Sequence, residues 1–417
     1  MSPKFDPCAQ GDLLPIEQAL EQIVSECSPR APNERIALSS ALGRVLANDL
    51  VSERFVPPFD NSAMDGYALR SEDLEAEGAT RLNLVGRSLA GKPFDGQIAR
   101  GQAIRILTGA AMPEGADCVV VQEVSTVKGD SVVLDAQASR WANVRRRGDD
   151  VAPGATIIEA GRRMMPAQIA AAAAVGEAEL WVHRRPRVAF FSTGDELVGI
   201  GQPLGPGQIF DSNRHALLAL LRRQEVDAID LGVVADNPSA VRAALQAAAD
   251  CADLVLTTGG VSVGDTDYVK SEMEAIGELS FWKIAMKPGK PLAVGRIGDA
   301  HFFGLPGNPV SAMVTFYQFV VPALRRLSGE PAEALAPLTV KAELLEPISK
   351  KAGRTEFQRG ILSRDDQGEL QVGRAGGQGS HMLAALSRAD CFIVLPRLSD
   401  GVRKGEMVSV QPFFGLA

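Results

Sequence analysis

The stretch RVAFFSTGDE at residues 187–196 decides the expected fold, because an apolar run typical of a buried β-strand ends there in a small, acidic turn. Three later runs end in similar polar turns: TTGGVSVGDTD at 257–267, KPGKP at 287–291 and GLPGNP at 304–309. In open α/β sheets, ligands bind in the crevice outside the carboxyl ends of the strands. We therefore treat these four turns as candidate ligand sites.

Strand-like and helix-like segments alternate around these turns. The strand patterns cover residues 187–193, 226–234, 253–258, 279–286, 291–297 and 301–305, and the helix patterns cover 213–224, 238–249, 267–276 and 309–328. This alternation predicts a doubly wound, mostly parallel α/β sheet that is covered by helices on both faces.

The flanking regions have different textures. Apolar residues recur at helical spacing in 15–28 and 39–46, and Pro166 opens an alanine-rich helix. Short β-rich runs separated by Gly, Pro and Asp fill the region between these helical segments, and helix patterns nearly vanish after Pro331. We predict four domains: a helical domain split between 1–51 and 150–182, a β-rich inserted domain at 52–149, an α/β domain at 183–328 and a closing β domain at 329–417.

Composition excludes several function classes. The chain has 417 residues, of which 46% are hydrophobic, so it can fold without disulfides. Its five cysteines and four histidines show neither CxxC nor HExxH spacing, which argues against a metal site built from them. The net charge of −8 disfavours nucleic acid, and no apolar run approaches the ~20 residues of a membrane span. We expect a cytoplasmic protein that binds neither nucleic acid nor a membrane.

The glycine-rich turn at 259–264 is a candidate anion loop. Its small residues let backbone amides approach a phosphate; they are Gly259, Gly260, Ser262 and Gly264. Asp265 and Thr266 stand where a P-loop needs Lys-Ser or Lys-Thr, which disfavours a nucleotide kinase. The alternative is a tight strand-to-helix turn with no ligand.

Carboxylates beside this loop predict a hard cation such as Mg²⁺, because they would otherwise repel a phosphate. Asp265 and Asp267 lie in the loop, and Glu196 and Asp236 follow neighbouring strands. Taken singly, each acid could equally be a helix cap or a solvated loop residue.

Cationic and hydroxyl groups in the later turns suit an oxyanion. Lys287 and Lys290 share a turn stiffened by prolines, which fits a dianion, although an exposed hairpin with incidental lysines is the alternative. The next turn and the final domain add further candidates: Pro306, Pro309, Ser311, Arg359 and Ser380. In the β-rich domain, DNSAMDGY at 60–67 places two acids and an Asn around a small-residue turn, which is hard to explain by fold alone. RILTG at 105–109 and RRRGDD at 145–150 add a hydroxyl and a basic cluster followed by acids, for which a surface salt-bridge run is the alternative.

Together these strings resemble the MoeA family of molybdopterin molybdenumtransferases, to which the C-terminal domain of gephyrin is also similar. PFDNSAMDGYA, RILTGA, RRRGDD, STGDEL, GGVSVGDTDY, KPGKP, GLPGNPVSA, EFQRG and QGSH occur in the family's order over roughly residues 14–414. The resemblance implies a four-domain homodimer with a C-terminal β-barrel, whose cleft combines the α/β and barrel domains of one subunit with the β-rich insertion of the other.

The resemblance also implies an activity and a set of site residues. Family members use molybdate and adenylylated molybdopterin as substrates and release AMP in a Mg²⁺-dependent step; a molybdopterin adenylyltransferase and apo-molybdoenzymes are the implied partners. The functional polar residues carried over by motif position are Asp65, Thr108, Asp150, Glu196, Asp236 and Asp267, with Lys283 and Lys287 as partner cations. The implied molybdate pocket comprises Lys287, Lys290, Ser311, Arg359 and Ser380, and the expected metal ligands are among Glu196, Asp236 and Asp267.

Two other functions are weighed against insertion. A molybdopterin adenylyltransferase is a stand-alone α/β domain similar to residues 183–328, but the three additional domains argue against it. A scaffold of the gephyrin type is the non-enzymatic alternative, although the chain has no second fused domain or long linker to support multivalent assembly.

Overall fold

A computed structural model describes residues 13–29, 32–260 and 268–415. The chain forms two compact units. The first, called the α/β–barrel unit here, comprises Met1–Glu34, Gly43–Ala47 and Trp181–Ala417, and the second, called the β-rich unit, comprises Arg35–Leu42 and Asn48–Leu180. The division of the chain into four domains stays a prediction.

The helices and strands have the following bounds. The α-helices are α1 Ile16–Glu26, α2 Pro166–Ala174, α3 Ser212–Arg223, α4 Pro238–Cys251, α5 Tyr268–Ile276, α6 Pro309–Thr315, α7 Val321–Leu327 and α8 Leu383–Arg388, and a π turn, Phe316–Val320, joins α6 to α7. The strands are β1 Glu34–Ala37, β2 Leu50–Val51, β3 Asn61–Ser62, β4 Gly66–Leu69, β5 Thr80–Ser88, β6 Gln102–Ile106, β7 Cys118–Val121, β8 Ser125–Lys128, β9 Ser131–Leu134, β10 Val144–Arg145, β11 Thr156–Ile158, β12 Glu179–Val182, β13 Arg187–Thr193, β14 Leu197–Val198, β15 Ile209–Phe210, β16 Asp227–Val234, β17 Leu254–Thr258, β18 Glu278–Lys283, β19 Met286–Lys287, β20 Pro291–Ile297, β21 Ala300–Leu305, β22 Val340–Leu344, β23 Ile348–Ser349, β24 Thr355–Arg364, β25 Leu370–Arg374, β26 Cys391–Leu395, β27 Gly401–Val402 and β28 Met407–Pro412.

The predicted α/β sheet is confirmed. It has six strands in the order β16-β13-β17-β21-β20-β18. The first four run parallel, β20 runs antiparallel to them, and β18, antiparallel to β20, runs in their direction again. Alternate side chains of β13 enter two different cores: Phe190 packs in the one that includes α3 residues, and Phe191 packs in the one that includes α4 and α5 residues. The sheet is therefore buried on both faces, as its continuous apolar strands require.

The opening segment differs from the prediction at residues 39–46, and its helix α1 packs at a position that the sequence does not indicate. Residues 39–46 do not form a helix: a 3₁₀ turn, Leu38–Ser40, is followed by Gly43 in a left-handed conformation with φ of +75°, which interrupts helical geometry. Helix α1 does form, and its buried face, including Ile23, packs in the core of the α/β–barrel unit beside α7. The backbone amide of Leu14 donates to the carbonyl of Lys283 at 2.9 Å, which ties the start of α1 to the end of β18.

The closing β domain contains a closed barrel. Strands β24, β25, β22, β28 and β26 pair in that order, and β26 pairs back onto β24. Strand β19 extends this sheet by pairing with Thr355 and Glu356 at the start of β24. The barrel therefore carries the lysine turn at one rim.

The β-rich unit is built on a second six-stranded sheet in the order β7-β4-β6-β5-β9-β8. Two short antiparallel pairs lie beside it, β3 with β10 and β2 with β11. Within residues 13–29, 32–260 and 268–415, no helix combines the length and apolar character needed to cross a membrane.

Candidate active site

Four strand ends define the carboxyl edge of the α/β sheet. Strands β16, β13, β17 and β21 run parallel, so the turns that follow them lie along one edge. Glu196, Asp236, Gly259 and Pro306 follow these strands by one to three residues. Three of the four turns identified from the sequence as candidate ligand sites therefore begin at this edge.

Two of the predicted carboxylates lie next to the end of β13. The hydroxyl of Thr193 donates to Oδ1 of Asp236 at 3.2 Å, which fixes Asp236 across the β13–β16 boundary. The carboxylate of exposed Glu196 folds back over Gly194: a Cβ added there would lie 2.6 Å from Oε2 of Glu196. Gly194 leaves this space open, so both acids flank the same strand end.

The metal prediction is not tested by this geometry. Among residues 13–29, 32–260 and 268–415, no three His, Cys, Asp or Glu side chains gather closely enough to hold a metal ion. Glu196 and Asp236 are two of the predicted ligands, whereas Asp267 lies outside the described residues, as do Ser262 and Gly264 of the anion loop.

The described part of the anion loop requires glycine. Gly259 and Gly260 have φ values of +83° and +63°, which only glycine adopts freely. A Cβ added to Gly259 would lie 2.6 Å from the carbonyl oxygen of Thr193, and one added to Gly260 would lie 2.5 Å from Cγ2 of Val269. The two glycines thus let the chain after β17 pack closely against Thr193 and against Val269 of α5.

The lysine turn lies at the same edge of the sheet. Strand β18 ends at Lys283, which pairs with Pro291 at the start of β20, and β18 runs in the same direction as the parallel strands. Lys283, Lys287 and Lys290 are all exposed. Gly289, with φ of +94°, lets the turn pack closely, because an added Cβ would lie 2.7 Å from Oγ1 of Thr315 in α6.

Helix α6 is the point at which several predicted residues meet. It begins at Pro309, and the backbone amide of Val310 donates to the carbonyl of Ser380 at 3.1 Å. Ser311 is buried in the first turn of the helix. The lysine turn and the QGSH loop at 378–381 therefore both pack against α6.

Arg359 organises the QGSH loop from inside the protein. Its side chain is only 1% exposed, and Nη2 donates to the carbonyls of Gly377 at 2.7 Å and Gly379 at 3.1 Å. Its Nε has no hydrogen-bond partner among the described residues, and burial lowers the pKa of the guanidinium. Oγ1 of buried Thr315, beneath the lysine turn, is likewise unpaired there. The neighbourhood of α6 thus retains two unsatisfied buried donors.

Glu356 is a contact of the lysine turn that the sequence did not identify. Nζ of Lys287 lies 3.1 Å from Oε1 of Glu356, which is buried at the start of β24. In the EFQRG motif, only the arginine is predicted as a site residue. An acid within a strand that reads as buried is the signal that could have found it, because buried carboxylates need a partner.

In the β-rich unit, the structure joins Asp65 to Thr108. The backbone amide and the hydroxyl of Thr108 both donate to Oδ1 of Asp65 at 2.7 Å. These bonds, the backbone one first and the hydroxyl second, lower the pKa of Asp65, and the nearby charge of Arg105 acts in the same direction. Two residues 43 positions apart thus form one exposed anionic corner.

The third motif of the β-rich unit packs against the first. Strand β10 pairs with β3, so Arg145 lies opposite Asn61. Asp60 accepts from Nε of Arg146 at 3.2 Å and from the backbone amide of Arg147 at 2.7 Å. Asp150, at the end of this motif, is exposed.

Three protein-family models match consecutive parts of the chain. The MoeA N-terminal region (domain I and II) matches residues 14–176, a probable molybdopterin binding domain matches 189–326, and the MoeA C-terminal region (domain IV) matches 341–413.

Relatives match over nearly their whole length. A molybdopterin molybdenumtransferase of Haemophilus influenzae is 41% identical over 402 residues, covering 96% of this chain and 99% of the relative. One from Nostoc sp. is 37% identical over 396 residues, covering 93% and 90%. A solved molybdopterin biosynthesis MoeA protein from Pyrococcus horikoshii superposes with a TM-score of 0.83 at 29% identity, covering 96% of this chain and all of that one.

Proposed function

The chain belongs to the MoeA family of molybdopterin molybdenumtransferases, and from this premise we propose that it inserts molybdate into adenylylated molybdopterin and releases AMP. The names of relatives that match nearly end to end support the reaction class. The match to a probable molybdopterin binding domain supports the choice of pterin substrate.

The convergence around α6 is the observation that carries this proposal. Exposed Lys287 and Lys290, the Ser380 loop and the buried guanidinium of Arg359 come from three separate motifs and meet there. Molybdate is a tetrahedral dianion, so it suits a site that is rich in cations and hydroxyl donors. It would also supply an acceptor for the unpaired Nε of Arg359.

The carboxyl edge of the sheet is the proposed seat of the pterin and its diphosphate. The backbone amide of Gly260 is a candidate donor to an anion there, whereas that of Gly259 donates to the carbonyl of Leu305 at 3.3 Å. Carboxylate oxygens are the donors that Mg²⁺ prefers, so the residues present fit this ion, and Glu196 and Asp236 would hold it. Bound there, Mg²⁺ would neutralise charge on the phosphoanhydride as AMP leaves.

We propose further that the active form is a homodimer in the cytoplasm, in which Asp65 of one copy acts with Lys287 of the other. The family resemblance supports this arrangement, and each compact unit carries only part of the predicted polar set. All four described cysteines are free thiols, which suits a reducing compartment. The implied partners are an adenylyltransferase that supplies the pterin and apo-molybdoenzymes that receive the product.

Reconstitution from purified components tests the reaction. The protein is mixed with adenylylated molybdopterin, Mg²⁺ and molybdate, and AMP release and activation of an apo-molybdoenzyme are followed. We expect AMP to form only when molybdate is present and the apoenzyme to gain activity. Consumption of ATP with molybdopterin would instead identify an adenylyltransferase. If the protein catalyses neither reaction, the scaffold function is the one that remains.

A further inference from the structure

We propose that Glu356 is a positioning residue that holds Lys287 where this lysine meets molybdate. The inference rests on the proposed function and deepens it, since it names the group that prepares one of the two exposed cations of the turn. Glu356 acts through Lys287 and does not itself touch the oxyanion.

The contact between the two residues is fixed from both sides. Nζ of Lys287 lies 3.1 Å from Oε1 of Glu356, and the backbone segments pair as well, because Lys287 is aligned with Glu356 in the β19–β24 ladder. The backbone amide of Thr355 also donates to the carbonyl of Ala285 at 2.8 Å. The lysine turn and the barrel rim are therefore joined by main chain and by charge.

The carboxylate itself has little freedom. Its side chain is 7% exposed, whereas that of Lys287 is 51% exposed. Nε2 of Gln358 donates to Oε2 of Glu356 at 3.1 Å. Across the ladder, Glu356 and Gln358 lie opposite Leu395 and Ile393, which belong to the apolar core of the barrel. A carboxylate in such a place needs a cationic partner.

Lys350, a second cation near Glu356, is already occupied. Lys350 is buried, and its Nζ donates to the carbonyls of Pro396 at 3.0 Å and Ser399 at 2.7 Å. Burial lowers the pKa of Lys350, and the charge of Glu356 opposes that shift. Lys350 is thus committed to the barrel rim, and Lys287 is the cation that bonds to Glu356.

This arrangement leaves Lys287 prepared for an oxyanion. A lysine ammonium has three N–H donors, so a bond to Glu356 leaves two for a ligand on the solvent side. A free lysine must lose rotamer entropy when it binds an anion, whereas Lys287 is already held before the ligand arrives. The conformational entropy of the Lys287 side chain is therefore lost when the protein folds and not when the substrate binds.

The test is the variant Glu356→Gln, assayed by steady-state kinetics and by calorimetry with molybdate. We expect the KM and Kd for molybdate to rise on the order of tenfold, the size of a charge-assisted hydrogen bond, while the KM for adenylylated molybdopterin stays within about twofold. Gln358→Met, which removes the support but keeps the charge, should give a smaller rise in the same direction and serves if Glu356→Gln does not fold.

Glu272→Gln is the matched control. Glu272 is also 7% exposed and pairs with Arg242, which is 50% exposed, so the two pairs have nearly the same burial. Its loss should lower the melting temperature as much as that of Glu356 but leave the affinity for molybdate unchanged. Equal losses of molybdate affinity in both variants would overturn the proposal, because the effect would then be one of general stability.

A double-mutant cycle decides whether Glu356 acts through Lys287. Molybdate affinity is measured by calorimetry in the wild type, Glu356→Gln, Lys287→Ala and the double variant. We expect Glu356→Gln to have no further effect once Lys287 is absent, whereas additive effects, or wild-type affinity in Glu356→Gln, would overturn the proposal. Wild-type protein that forms no AMP with molybdate would instead contradict the proposed function.

Discussion

Asp65 shows how one partly exposed carboxylate can be kept ionised. Both hydrogen bonds from Thr108 favour the charged form, so the pKa of Asp65 is lowered although the side chain lies at the surface. A lowered carboxyl pKa stabilises the folded state above the ordinary pKa, and this contribution is lost as the pH falls through the folded value. Asp65 therefore remains an anion throughout the neutral range.

Thr108→Val should raise the pKa of Asp65 toward its ordinary value without restoring it fully. The substitution removes the hydroxyl donor but keeps the shape of the side chain and the backbone donor, which is the larger cause of the shift. Titration of the Asp65 carboxyl carbon by NMR measures the change. An unchanged pKa would mean that the hydroxyl bond does not form in solution.

Single residues were predictable where a motif pairs chemistry with an unusual turn. Asp65, Thr108 and Lys287 came from such motifs, and the structure shows the contacts that hold them. Glu356 was not predicted, because its role depends on a strand pairing between segments almost 70 residues apart. The role of Asp267 stays a prediction, since it lies outside the described residues.

Among the turns, the lysine turn depends most strictly on one backbone conformation. Gly289 has φ of +94°, and Oγ1 of Thr315 occupies the space where a Cβ would stand. Gly289→Ala should therefore push the turn away from α6, with a cost of roughly 1–2 kcal/mol from the φ angle alone. Denaturant unfolding measures this loss.

The same variant should weaken molybdate binding more than pterin binding, because the displaced turn carries Lys287 and Lys290. Calorimetry with molybdate checks this, and Gly298→Ala is a suitable control. Gly298 also has a positive φ, of +56°, but a Cβ there would meet nothing within 4 Å. A Gly289→Ala protein that binds molybdate normally would show that the close packing on α6 is unimportant.

Strands and helices of the α/β sheet were predicted within a few residues, because apolar runs and caps set them locally. The prediction of strand 187–193 matches β13, and that of helix 238–249 falls within α4. The predicted helix at 39–46 was wrong, since apolar spacing is a weak signal when Gly43 can adopt a left-handed angle. Closure of the barrel followed from the family resemblance, because ring closure leaves no mark in local sequence.

For the molecule as a whole, the proposed homodimer predicts complementation between inactive copies. Asp65→Ala and Lys287→Ala homodimers are each expected to lose most of their turnover. After exchange of subunits, about half of the dimers are mixed and each mixed dimer regains one of two sites, so about a quarter of wild-type activity should return. Molybdate-dependent AMP release measures the recovery.

The control mixes untagged Asp65→Ala protein with Asp65→Ala protein that carries a purification tag. This mixture should regain no AMP-releasing activity. Tagged and untagged copies recovered together would confirm that subunits exchanged. Exchange of subunits without recovered activity would contradict an active site shared between Asp65 of one copy and Lys287 of the other. It would not contradict the proposed reaction.

Strand β24 has paired neighbours along both edges, because the five-stranded ring closes on itself. Pulling one strand out of such a ring must break two ladders at once, so its amides should be among the last to exchange with solvent deuterium. Strand β19 connects the lysine turn to this slowly exchanging barrel. Local opening of the surrounding loops would then leave Lys287 in position. The lysine would not have to reorient before it binds the next anion.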